Sequence, residues 1–218
     1  MRSLTPLEAR VLGVLVEKQH TVPDTYPLSL NAITAGCNQK TARFPVIEAT
    51  EAEVVTAVDG LKSLSLVFEG SGSRVVKYEH NMARVLGVPG QAVALLTVLM
   101  LRGPQTAAEL RLNCERLYKF ADISSVEGFL EELAAKEPPR VVKLARAPGS
   151  REARWAHLLC GEVAFDVSAA VAGDESVTTG ELAALKVNIA QLRGEVAELR
   201  ALVERLYAEL GVARDEGK

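Results

Sequence analysis

Aromatic side chains are scarce: Phe, Tyr and Trp together make up 5% of 218 residues, with a single Trp. The core must therefore be aliphatic, drawn from Leu, Val and Ala within an apolar content of 48%. Cysteine is scarcer still. Cys37, Cys114 and Cys160 stand far apart without CxxC spacing. This excludes a disulfide framework and points to reduced thiols in a cytoplasm. The three His have no metal-ligand spacing around them, so neither a metal nor a cofactor is expected. No GxSxG, P-loop, HExxH or GxGxxG motif occurs, and no catalytic residue can be named. The expectation is a binding protein, not an enzyme. Long apolar runs are missing too. Ala92 to Leu101 is too short for a bilayer span and reads as a buried helix, and the N-terminus lacks the apolar stretch of a signal peptide. No membrane partner is expected.

What is present is unevenly charged. The chain carries a net −3. Residues 1–80 hold 8 basic and 9 acidic side chains, residues 81–160 hold 11 and 8, and residues 161–218 hold 6 and 11. A site for a polyanion belongs in the middle third.

An internal repeat organises the first 160 residues. Gly72-Ser73-Arg74-Val75-Val76-Lys77-Tyr78-Glu79-His80 matches Gly149-Ser150-Arg151-Glu152-Ala153-Arg154-Trp155-Ala156-His157 at an offset of 77 residues. A helix precedes each copy. Thr50 and Glu53 form a capping box ahead of Val54, Val58, Leu61 and Leu64. Ser124 and Glu127 suggest another, ahead of Phe129, Leu130 and Leu133. Each unit also opens on a helix. Thr5-Pro6-Leu7-Glu8 is a capping box with Pro at the first helical position, and Pro89 starts the matching helix. Shorter helices fit at about Leu28–Ala35 and Thr106–Leu117, the latter with a Thr106/Glu109 box. Strands are expected at about Leu66–Glu69 and Arg74–His80, then at Arg140–Arg146 and Arg151–Leu158. Tyr78 and Trp155 should pack each hairpin onto its helices.

Three helices followed by a hairpin, twice over, predict a mainly α chain with small β-hairpins (α+β). It comprises two tandem winged helix-turn-helix domains plus a C-terminal coiled-coil helix. The boundaries are 1–82 for the first unit, with an inserted loop at 37–49, and 83–160 for the second. A linker follows at 161–180, then the coiled-coil helix at 181–211.

The stretches Leu4-Thr5-Pro6-Leu7-Glu8-Ala9-Arg10-Val11-Leu12-Gly13 and Asn38-Gln39-Lys40-Thr41-Ala42-Arg43-Phe44-Pro45-Val46 resemble the YceH-type family of bacterial proteins. So do Glu109-Leu110-Arg111, Arg116-Leu117-Tyr118-Lys119-Phe120 and Val126-Glu127. The resemblance covers about residues 4–160. It implies tandem winged helices and brings no catalytic residue. Ala42 and Phe44 depart from the pattern, which leads us to expect a polar and an acidic residue there.

Loop 37–49 carries Lys40 and Arg43 beside Asn38, Gln39 and Thr41. That mixture suits phosphate contacts; equally, the loop could pack on the second unit and fix its angle. The third helices are acidic, with Glu51, Glu53 and Asp59 in one and Glu127, Glu131, Glu132 and Glu137 in the other. Docking them as recognition helices would set carboxylates against phosphates. The candidate nucleic-acid contacts therefore lie on wings and loop: Lys40, Arg43, Arg74, Lys77, Arg111, Arg116, Lys119, Arg140, Lys143, Arg146, Arg151 and Arg154. The expected partner is double-stranded DNA. The alternative is a protein-interaction scaffold whose acidic third helices dock partner proteins.

The C-terminal pattern is a heptad. Leu182, Ile189, Val196, Val203 and Leu210 take the a positions, and Leu185, Leu192, Leu199 and Leu206 the d positions. β-Branched residues at central a positions with Leu at d favour a parallel homodimer. The same stripe would also serve a helix folded back on its own chain.

Overall fold

A computed structural model describes residues 1–70, 75–146 and 152–162. The described residues all belong to one compact unit. The heptad lies outside the described residues.

Helix α1 (Pro6–Thr21) starts where the sequence places it. The Thr5 hydroxyl accepts from the Glu8 amide at 3.2 Å, and the Glu8 carboxylate accepts from the Thr5 amide at 2.7 Å. These bonds satisfy groups that a helix start otherwise leaves open. Residues Glu8 to Val16 are all buried, because α1 is covered on more than one side. It packs on α2 (Leu30–Cys37), α3 (Glu51–Ser63) and, most extensively, α5 (Gly90–Arg102). Helix α5 is the opening helix of the second repeat, and its residues 92–101 are likewise buried. A Cβ on Gly13 would meet Leu101 Cγ and Cδ2 at 3.0 Å, so the missing side chain lets α1 and α5 approach. One continuous aliphatic core runs through both repeats.

The sheets are small and antiparallel. Strands β1 (Leu28–Ser29), β2 (Val67–Gly70) and β3 (Lys77–His80) stand in the order β1-β3-β2. In the second repeat α6 (Ala107–Asn113) and α7 (Ile123–Ala134) precede β4 (Val141–Lys143) and β5 (Trp155–His157). The two hairpins correspond residue by residue. His80 faces Val67, and His157 faces Val141. Tyr78 faces Leu28 in the short strand before α2, and Trp155 bridges Gln105 just before α6. The described part of the repeated motif, residues 77–80 and 154–157, thus occupies equivalent positions in both units. Trp155 is 4% exposed and closes the second unit, as its size requires.

Local differences from the sequence reading have local causes. Helix α7 is capped by Asp122 with Ser125, not by Ser124 with Glu127, because the Asp122 carboxylate accepts from the Ser125 amide at 2.7 Å. Charge on the Asp122 side chain also suits the positive end of the helix. Leu28 and Ser29 form a strand, and Ser29 then caps α2. Helix α6 stops at Asn113, after which Leu117 and Tyr118 both donate to the Cys114 carbonyl in a turn. A five-residue helix, α4 (Met82–Leu86), joins the units and ends at Gly87, whose φ of +59° suits glycine.

Candidate functional site

Two surfaces come into consideration: the cations of the sequence reading, and a groove beside the α1–α5 seam. Both depend on the loop between α2 and α3. Asn38 clasps the far end of that loop, its amide nitrogen donating to the Ala49 carbonyl and its oxygen accepting from the Ala49 amide, both at 2.8 Å. Arg43 anchors the middle. Its guanidinium has no exposed side-chain surface and meets the Glu17 carboxylate at 2.6 and 3.0 Å. It also donates to the Gly36 carbonyl at 3.1 Å. Burial alone would raise the Glu17 carboxyl, but the bonds and charge of Arg43, with Lys18, hold it below the usual range. Arg10, 4% exposed, donates to the Pro45 carbonyl at 2.7 Å and the Cys37 carbonyl at 3.4 Å. Burial and then the Arg43 charge lower the pKa of Arg10. Burial pushes the Cys37 thiol up to about 12, so it stays protonated in the core.

This corrects one part of the sequence reading. Arg43 is a structural cation, enclosed by Glu17 and carbonyls, and has no surface to offer a phosphate. Of the two roles open to the loop, packing is realised: the Phe44 amide donates to the Leu101 carbonyl at the end of α5, at 2.8 Å. Lys40 remains exposed at the outer turn.

The other cations fall into three groups. Arg154 is committed, with Nη1 donating to the Pro104 carbonyl at 3.0 Å and Nη2 to Glu109 at 3.2 Å. Arg111 donates to the Ala121 carbonyl at 3.0 Å, and both Arg111 and Arg140 are half-buried. Arg116, Lys119, Lys143 and Arg146 are exposed, and Lys77 is half-buried on β3; among the described residues none of these forms an ion pair. The Lys143 ammonium sits 5.4 Å from the Trp155 ring centre, a cation–π distance. Lys143 and Arg146 border a hollow of about 390 Å³ that Glu127 and Glu152 also line. Arg74 and Arg151 lie outside the described residues. The acidic third helices stand as expected: Glu51, Glu53 and Asp59 on α3 are exposed, as are Glu127, Glu131 and Glu132 on α7. Lys62, the one cation of α3, pairs with Asp59 and Glu69.

The groove was not legible in the sequence. It has a volume of about 530 Å³ and runs between the loop and the seam, over Leu7, Ala9, Ile47, Leu99 and Met100, with Phe44 at its edge. Its polar groups are few: Arg10, Glu48, Glu53, His157 and Cys160. Burial lowers the His157 pKa to about 4, so its ring is neutral near pH 7. Burial raises the Cys160 thiol to about 11, with the Glu8 charge adding to the effect. Among the described residues no group of His, Cys, Asp and Glu could hold a metal ion. No helix among them is long and apolar enough to cross a membrane.

A family model described as "Protein of unknown function, DUF480" matches residues 4–150. The chain is 67% identical over 217 residues to a UPF0502 protein of Burkholderia multivorans, covering 99% of this chain and 92% of that one. It is 68% identical over 219 residues to a UPF0502 protein of Burkholderia pseudomallei, covering 100% and 93%. A UPF0502 protein of Paraburkholderia phytofirmans is 68% identical over 214 residues, covering 97% and 91%. With similarity that runs the length of the chain and a model that matches well over half of it, this protein belongs to the DUF480 family of bacterial proteins, the YceH-type family its sequence resembles.

Proposed function

We propose that this chain is a non-enzymatic, DNA-associated protein of two tandem winged-helix units. It meets the duplex through the second wing, the turn after α6 and the outer turn of the α2–α3 loop, not through the acidic third helices. One observation carries the reading. Lys40, Arg116, Lys119, Lys143 and Arg146 are exposed and free of ion pairs among the described residues, whereas Arg2, Lys18, Arg43 and Lys62 of the first repeat are all paired. Unpaired surface cations are what phosphate contact requires, because a cation already neutralised by a carboxylate releases no counterion. Lys143 held over Trp155 and Arg146 beside it belong to the wing. Arg116 and Lys119 flank the turn into α7. The heptad from Leu182 to Leu210 adds a parallel homodimer to this reading. That dimer would double the cationic surface and favour a repeated target.

The test is a gel shift of the full chain on random duplex DNA. With five phosphate contacts, affinity should fall roughly 500-fold between 50 and 200 mM salt. Lys143→Glu with Arg146→Glu should abolish binding at the higher salt and flatten the dependence. Absence of binding at low salt, or binding indifferent to the charge reversal, would overturn the assignment. Chain mass in solution, compared with Leu192→Glu plus Leu199→Glu, tests the dimer separately; the variant should be monomeric.

A further inference from the structure

Beyond DNA, the groove at the α1–α5 seam calls for an occupant of its own. We propose that it docks a segment of a partner protein, an apolar pair of side chains followed directly by Lys or Arg.

Three observations select that chemistry. The first is charge. Glu48 and Glu53 stand on the wall against one cation, Arg10, whose guanidinium is turned to the Cys37 and Pro45 carbonyls, so carboxylates outnumber cations in the lining. His157 is neutral near pH 7. The wall is therefore anionic and complementary to a basic flank. The second is the extent of the apolar surface. The groove alone is of the size that holds a small ligand. From Phe44 in its lining, 48% exposed, the apolar strip continues outside it to Val46, 53% exposed. A passing chain covers such a strip and a small amine does not. The third is the backbone. Among the described residues nothing hydrogen-bonds the amides of Val46, Ile47 and Glu48. They are free to pair with the main chain of a bound segment. The Arg43–Glu17 pair and the Asn38 clasp hold this wall in shape before anything binds, which lowers the ordering cost of association.

Methionine offers a site-resolved reading. Of Met1, Met82 and Met100, only Met100 lines the groove, while Met82 is sealed in α4. The full chain, labelled with carbon-13 at its methionine methyls, would be titrated with a dodecapeptide carrying Leu-Phe-Lys-Arg in a Gly-Ser background. The Met100 signal should shift saturably and the Met82 signal should stay. Replacing Lys-Arg by Glu-Glu in the peptide should weaken binding at least tenfold, and so should Glu48→Lys in the protein. Glu48 is exposed, so an unmoved Met82 signal certifies the fold of that variant. Ile47→Asp should remove the response. No Met100 shift, or a shift blind to both charge changes, would overturn the proposal. Saturation by octylamine alone would make this a small-molecule site, and a shift that grows with protein concentration without peptide would give the groove to a second copy. Either result rejects the partner segment.

Discussion

The two repeats build the same element order and spend their charges differently. In the first, most cations are turned inward or paired, Arg43 with Glu17, Arg2 with Glu8 and Lys62 with Glu69, and Lys40 is the exposed exception. In the second, Arg84, Arg116, Lys119, Lys143 and Arg146 are exposed, and Arg154 alone is in an ion pair among the described residues, that pair about one-third exposed. The hairpins still match at every landmark, Tyr78 with Trp155 and His80 with His157. One backbone plan therefore serves two purposes. The first unit uses charge to fix a loop against α5, and the second leaves more of its charge exposed.

The sharpest way to break this comparison is to remove one cation from each unit. Arg43→Met leaves the largely buried Glu17 carboxylate with only Lys18 beside it, at 3.2 Å, and should cost about 3 kcal/mol, the low end for breaking a buried pair. Arg154→Met cuts an exposed pair and should cost under about 1 kcal/mol. Urea unfolding of both variants checks this. Replacing Glu17 by Leu as well should recover most of the first loss, because the pair and its desolvation vanish together. Equal effects of the two single variants would show that both units use charge alike.

Acid should discriminate less sharply. Burial depresses both His80 and His157 to about 4, with the charge of His20 adding to the first. A histidine with a lowered folded pKa takes up its proton more readily when unfolded. Its stabilisation is complete above the unfolded value near 6.5 and is lost as pH falls from there toward 4. Each ring should withdraw on the order of 2–3 kcal/mol across that window. The rings differ in their bonds. His80 Nε2 lies 2.7 Å from Gln19 Oε1, and its Nδ1 accepts from the Met82 amide at 3.3 Å. His157 Nδ1 is buried without a partner among the described residues. His157→Phe should therefore resist acid better than the parent at no cost near pH 7. His80→Phe should gain acid resistance but lose stability at neutral pH. Acid unfolding of both variants, followed by circular dichroism, gives the answer.

Local chemistry explains what the sequence disclosed. The boxes Thr5/Glu8, Thr50/Glu53 and Thr106/Glu109 all form, because each needs only four consecutive residues. Asp122 took the fourth cap from Ser124 by the same rule, with a stronger acceptor two residues earlier. Helix α4 escaped notice because five residues show no period. Arg43 read as a surface cation because its partner Glu17 is 26 residues away and meets it only after α1 and α2 have packed. A trace of that pairing did exist. Arg10 and Glu17, seven apart, place charges on one face of a helix whose middle is otherwise apolar. The groove left no trace, since it exists only between the loop and the seam.

The smallest expected effect concerns the backbone of that same loop. Ala42 holds φ at +57°, and Ser65 does so too, whereas in the second repeat every described left-handed position belongs to glycine: Gly87 and Gly103. A Cβ in that region costs roughly 1–2 kcal/mol, and glycine returns about half of this through its freer unfolded chain. Ala42→Gly should therefore stabilise by about 0.5–1 kcal/mol, raising Tm by about 1–4 °C. Ala35→Gly is the matched control. Ala35 lies exposed within helix α2, where the same exchange should cost about 1 kcal/mol. Opposite signs in two Ala→Gly variants seven residues apart would trace the difference to backbone conformation, since side-chain loss is identical. If both destabilise, Ala42 is not strained, and the first unit's loop is held by its ion pair without opposition from its own chain.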